Sequence, residues 1–186
     1  MTLTGLPISK TLKTTSTSQI CSVAAGCFWG VEHLYLKHFK GQGIVDTKVG
    51  FANGSTNEPS YKAVCTGETN HAETLQISFE PSQLSYSKLI EFFFIIHDPT
   101  TLNYQGPDRG TQYRSAIFTH DDEQRKVALE ELSKAQKKWY PNHKIVTVVE
   151  PIQSFWDAEE YHQKYLIVNP NGYHCPSHFI RTTPKE

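Results

Sequence analysis

Gly26-Cys27-Phe28-Trp29-Gly30 is the stretch with the most chemical potential. It stands between a short apolar run, Ile20 to Ala25, and a helical pattern carrying Val31, Leu34, Tyr35, His38 and Phe39. A cysteine at such a strand-to-helix turn has its sulfur near the first free backbone N–H groups of the helix. Those donors and the positive helix end favour thiolate over thiol. An ordinary cysteine, with a pKa of about 8.5, is only a few per cent thiolate at neutral pH. The competing reading is an inert buried cysteine, the usual fate of a free thiol. Two large aromatics directly after it weigh against that reading. Neighbouring helical residues point about 100° apart, so both cannot easily turn into one core.

Elements that could position this sulfur alternate along the chain. Ile20–Ala25 reads as a buried strand and Phe28–Phe39 as a helix ended by Gly41 and Gly43. Ile44–Ala52 is a strand closed by Asn53-Gly54, and Tyr61–Cys65 is ambiguous. Glu73–Phe79 alternates as a strand, and Leu84–His97 is a helix stopped by Asp98-Pro99. The long stretch 98–112 is a loop of turn formers, and loops of that length in a small domain are usually functional. Tyr113–Thr119 reads as a strand, Asp121–Tyr140 as a charged-capped helix, Ile145–Val149 as a strand and Asp157–Val168 as a helix. The pattern predicts an α+β fold, a two-layer α/β sandwich with helices packed on a mixed β-sheet.

At 186 residues the chain makes one domain with a sizeable core. Residues 1–18, rich in Ser and Thr and free of acids, read as a mobile arm. Residues 19–186 form a single catalytic domain whose tail is flexible from about Asn169. A net charge of −1 gives no field to recruit nucleic acid or an anionic membrane. No apolar run approaches spanning length. Four irregularly spaced cysteines (Cys21, Cys27, Cys65, Cys175) in a chain this long fit a reducing compartment better than a disulfide scaffold. The expected location is the cytoplasm, with organelle import left open by the basic arm. Nine histidines raise the question of a metal. His174 and His178 straddle Pro176, which disfavours the helix that would align them, and no Cys-x-x-Cys occurs. No metal and no cofactor are expected. His162 reads as a hydrogen-bonded core residue.

Six blocks occur in a fixed order: Gly26-Cys27-Phe28-Trp29-Gly30, Tyr61-Lys62-Ala63-Val64-Cys65, His71-Ala72-Glu73, His97-Asp98-Pro99-Thr100, Gly110-Thr111-Gln112-Tyr113-Arg114-Ser115 and Ala158-Glu159-Glu160-Tyr161-His162-Gln163. Together they resemble the A-class peptide methionine sulfoxide reductases, across roughly residues 20–180. That resemblance implies reduction of methionine S-sulfoxide, free or in oxidised proteins, in defence against oxidative stress. Cys27 would attack the sulfur and become a sulfenic acid, and Glu73 would protonate the departing oxygen. Read as a strand end alone, Glu73 is more readily an exposed charge; the resemblance makes it a buried acid with a raised pKa. By the same resemblance Tyr61 and Tyr113 donate hydroxyls to the oxygen, and Asp108 helps bind substrate and orient the site. Phe28 and Trp29 form the apolar wall for the methyl group. Cys175, beside Gly172 and Pro176, would condense with Cys27 to a disulfide that thioredoxin reduces. Cys21 and Cys65 are expected to be buried structural thiols, and a monomer is the default state.

Three other readings of the same residues differ in chemistry. Cys27 with His71 or His162 as base would make a hydrolase or transferase. A thiol peroxidase would also pass through sulfenic acid. A binding module would expose Phe28 and Trp29 as an anchor.

Overall fold

Leu75, Ile77 and Phe79 alternate with Thr74, Gln76 and Ser78, giving a strand with one apolar and one polar face. Both faces are buried. The computed structural model describes residues 2–186 and shows what covers each. In chain order the elements are β1 (Gln19–Ala25), α1 (Phe28–His38), β2 (Ile44–Ala52), α2 (Tyr61–Cys65), β3 (Ala72–Phe79) and α3 (Tyr86–Ile95). A small hairpin follows, β4 (Tyr104–Gln105) with β5 (Asp108–Arg109), then a 3₁₀ turn (Thr111–Tyr113), β6 (Ser115–Thr119) and α4 (Asp122–Lys138). β7 (Val148–Pro151), β8 (Phe155–Asp157), a second 3₁₀ turn (Glu160–His162) and α5 (Tyr165–Val168) complete the set.

Six strands form one sheet in the order β7-β6-β1-β3-β2-β8. The β6–β7 pair is parallel and the other neighbours are antiparallel, so the sheet is mixed. Its apolar face, with Cys21, Val23, Leu75, Ile77, Phe79 and Ile117, packs against buried residues of α1, α3 and α4. This is the α+β, two-layer arrangement expected from the alternation.

The polar face is covered by the N-terminal segment. Ser9 N–H donates to Gln76 Oε1 at 2.9 Å, and Gln76 Nε2 donates to Pro7 O at 2.8 Å. Thr11 Oγ1 donates to Asp157 Oδ2 at 2.6 Å and Lys13 N–H to Asp46 Oδ2 at 2.9 Å. A segment that composition marks as a mobile arm thus supplies hydrogen-bonding partners to a buried polar sheet face.

Other departures from expectation have local causes. The proposed helix Asp157–Val168 is broken, because Asp157 ends β8 and Lys164 adopts φ +52°, a left-handed conformation that separates the 3₁₀ turn from α5. Glu32 holds that bend: its Oε1 accepts from Lys164 N–H at 2.7 Å and its Oε2 from Thr47 Oγ1–H at 2.8 Å. The last strands fall at Val148–Pro151 and Phe155–Asp157, not at Ile145–Val149. The long loop 98–112 contains the β4–β5 hairpin, and Tyr113 lies in a 3₁₀ turn, two residues before β6 begins.

α4 follows its sequence signals closely. Asp121 caps it, its side chain accepting from Gln124 N–H at 2.7 Å. Asp121→Ala should cost about 1 kcal/mol and lower Tm by roughly 2–4 °C, read by thermal melting.

Candidate active site

The site is built by the topology of the sheet. β1 and β3 are antiparallel with Val23 opposite Leu75, so the end of β1 that leads to Cys27 meets the start of β3 that carries Glu73. Ala25 pairs with Ser115, which brings Tyr113, two residues before, to the same end. β2 runs antiparallel to β3 with Ala52 opposite Ala72, and the chain leaving it reaches Tyr61. Chain ends from four strands therefore converge on one edge of the domain.

Cys27 is the N-cap of α1 and is only 8% exposed. Gly26 before it has φ +88°, a left-handed turn conformation that makes the strand-to-helix junction possible at low cost. Burial pushes the Cys27 thiol up, and proximity to Glu73 pushes it further; the Trp29 backbone N–H at the sulfur pulls it down. The helix start thus acts in the expected direction but is outweighed, and the resting residue is a thiol rather than a thiolate.

Glu73 is 1% exposed and lies on the same face of β3 as Leu75, Ile77 and Phe79, beneath the start of α1. Its Oε1 accepts from Phe28 N–H at 3.2 Å, while its Oε2 is buried with no partner. Burial raises its pKa to about 8, against the lowering effect of the Phe28 N–H. The exposed strand-end reading is therefore excluded. At neutral pH this is a protonated acid with an unused oxygen, close enough to Cys27 for its charge to be felt there.

Tyr61 and Tyr113 are half-buried, and Glu73 is among the charges that raise the pKa of both phenols. Phe28 is buried, its ring 5.7 Å from Phe51 and 6.5 Å from Tyr61. Trp29 is half-buried. Its indole stacks on Tyr165 at 3.9 Å, and Nε1–H donates to His162 Nδ1 at 3.0 Å. The two adjacent aromatics divide as helical geometry requires: Phe28 is fully buried, and Trp29 is half-buried against Tyr165 and His162.

A buried thiol, a neutral buried carboxylic acid with a free oxygen, two phenols and an aromatic wall meet at one place. Residues 19–185 match the family described as peptide methionine sulfoxide reductase. The chain belongs to that family. A Schizosaccharomyces pombe protein named "Probable peptide methionine sulfoxide reductase" is 56% identical over 164 residues, 88% of this chain and 96% of that protein. The reduced form of Mxr1 from Saccharomyces cerevisiae is similar with a TM-score of 0.90 at 49% identity, covering 95% of this chain and all of that one. Mxr1 in complex with Trx2 aligns with a TM-score of 0.68 at 37% identity, covering 95% of this chain and 100% of that chain.

In this reductase Asp108 lies on β5 and accepts from the Tyr173 hydroxyl at 3.0 Å. Cys175 lies beside Asp108 and close enough to Cys27 for its charge to push the Cys27 thiol up. Its thiol is buried and donates to Gln105 O at 3.5 Å, and all four cysteines are free. Cys21 is fully buried as expected. Cys65 is not: it is exposed at the end of α2, next to the Tyr61 hydroxyl. A helix this short buries only Val64 and leaves the cysteine beside it in water.

His162 is buried, as expected, but in a 3₁₀ turn. Its acceptor role toward Trp29 and the αL residue Lys164 that follows were not visible in the sequence. Among the described residues no group of three His, Cys, Asp or Glu side chains could hold a metal ion, and no helix is long and apolar enough to cross a membrane.

Proposed function

We propose that this reductase acts on the S epimer of methionine sulfoxide, with Cys27 as nucleophile and Glu73 as acid. The observation that carries this assignment is Glu73, buried, protonated at neutral pH, with an unpartnered Oε2 and a charge felt at Cys27. In our reading the sulfoxide oxygen accepts from that carboxyl and from the Tyr61 and Tyr113 hydroxyls, which makes the sulfur more electrophilic. Cys27 attacks the sulfur, Glu73 gives its proton to the oxygen, and the thiol proton of Cys27 restores Glu73. The hydroxyl then passes to Cys27 as its bond to the methionine sulfur and the transient S–S bond break, which leaves a sulfenic acid on Cys27 and releases methionine. The methyl lies against Phe28 and Trp29. The opposite epimer would press its oxygen onto those rings without a donor, which disfavours it.

Cys175 is the resolving thiol in this proposal, with Asp108 orienting the site, and thioredoxin reduces the resulting disulfide. The complex of the relative Mxr1 with Trx2 supports that reductant. Four irregularly spaced cysteines in a chain of this length support a reducing compartment, and we propose a cytoplasmic protein.

The test is a mass balance. Reduced protein incubated with a methionine sulfoxide peptide should remove one oxygen from the peptide and lose two hydrogens itself. Disulfide formation with peroxide alone, and an unchanged peptide, would make it a peroxidase instead. Cys175→Ser should release one methionine per protein and then stop. Sustained thioredoxin-driven cycling by that variant would assign the resolving role to another thiol, with exposed Cys65 the first to test.

A further inference from the structure

Downstream of Cys175 the chain does not leave the site. His178 N–H donates to Cys175 O at 3.0 Å, closing a turn with Pro176 at its second position. The His178 ring then donates from Nε2 to Ala25 O at 2.7 Å. A carbonyl only accepts, so Nε2 carries the proton and Nδ1 is bare. Nδ1 is buried without a partner.

The hollow that receives this ring is made by the two glycines flanking the Cys27 segment. A Cβ on Gly30 would come within 2.4 Å of His178 Nδ1, and one on Gly26 within 3.3 Å of Nε2. On the other side of the turn, a Cβ on Gly106 would lie 3.1 Å from Ser177 Oγ and 3.6 Å from Cys175 Sγ. The turn Cys175–His178 is thus clasped between the hairpin and the start of α1. An apolar side chain would fill the same hollow without burying a bare nitrogen. The imidazole adds one directed bond, to the residue two places before Cys27.

We propose that His178 is a positioning residue for disulfide formation: it holds the turn that carries Cys175 against the junction that carries Cys27, and so sets how fast the two sulfurs join. The proposal rests on the reading of Cys175 as resolving thiol. In the step concerned, Cys175 Sγ attacks Cys27 Sγ, an S–S bond forms and the S–O bond of the sulfenic acid breaks. The hydroxyl leaves with the Cys175 proton as water, so no outside oxidant or reductant is needed. A loosely tethered tail presents its thiol at an effective concentration set by the tether, and fixing its direction raises that value. Farther along, Arg181 N–H bonds to Ile95 O at 2.7 Å and Lys185 Nζ to Asp98 Oδ2 at 2.7 Å. Those contacts hold the end of the tail independently, so loss of His178 frees the turn alone.

The experiment is one turnover without reductant, quenched at intervals with dimedone. His178→Ala and His178→Asn should release the first methionine at the wild-type rate, then form the disulfide about 10-fold more slowly, with a dimedone adduct accumulating on Cys27. His178→Gln sets an amide donor where Nε2 was and should restore the wild-type disulfide rate; Asn sets it too short. Wild-type disulfide rates in His178→Ala, or failure of Gln to do better than Asn, overturn the proposal. Cys175→Ser run in parallel should trap the adduct quantitatively. If it does not, the resolving role of Cys175 itself fails, and that outcome is distinct from the first.

Discussion

Cys27→Ser is expected to release no methionine above the reagent background, a loss on the order of 10⁴-fold or more. A serine oxygen cannot accept the sulfoxide oxygen without forming a peroxide, so the loss is chemical rather than quantitative. The fold should survive. Cys27 is an N-cap with no side-chain capping bond, and serine is among the best N-cap residues, so the substitution fits its place and can supply that bond. A wild-type melting curve alongside absent activity separates the two effects. Because burial and Glu73 both push the Cys27 thiol up, slow alkylation by iodoacetamide in the resting enzyme is also expected, even at pH 8. The reactive sulfur is made at the moment of attack, when substrate is bound and its proton has somewhere to go. Methionine release by the serine variant would mean that a different thiol attacks.

Much of this arrangement can be read from residue order, and the failures share a cause. Strand β3 was legible because its alternation is strict, and α4 because Asp121, its acidic first turn and its basic last turn all agree. The same alternation held the answer for Glu73. It shares parity with Leu75, Ile77 and Phe79, so a core below those three is a core below the carboxyl too. What hid it was the general rarity of buried carboxylates, which an active site overrides. The segment after β8 was misread because Ala158, His162 and Tyr165 recur at helical spacing while the backbone bends at Lys164. That bend depends on Glu32, 132 residues away in sequence, and no local pattern reports such a contact. The N-terminal arm is the same case. Its composition is that of a mobile segment, and its order comes from Gln76, Asp157 and Asp46, acceptors and donors on distant strands. Net reactivity at Cys27 also needed the structure, since the helix start is local but the burial that outweighs it is not.

Glu73→Gln tests the acid and separates its two capacities. The amide oxygen can keep the bond from Phe28 N–H, and the amide N–H can point where Oε2 now lies, so hydrogen bonding to the sulfoxide is retained. Proton transfer is not. The expected fall in first-turnover rate is roughly 10²–10⁴-fold. In the wild type, rate should decline as pH rises through about 8, where the buried acid ionises, and the variant should lack that limb. The substitution should move stability the other way. Between the ordinary carboxyl pKa of 4.5 and the raised value of about 8, the unfolded chain gives up this proton while the folded chain keeps it. The unfolded state therefore binds fewer protons, and wild-type stability falls as pH rises across that window. Glutamine has no such loss. The variant should match the wild type near pH 4 and exceed it near pH 8 by on the order of 4 kcal/mol, visible in denaturant melts at the two pH values. A slower enzyme that is also the more stable protein at pH 8 is the signature of an acid kept neutral for catalysis at the expense of the fold. A variant within tenfold of wild-type rate, or one whose stability advantage does not grow with pH, would remove Glu73 from the proton path and leave the buried carboxyl without an account.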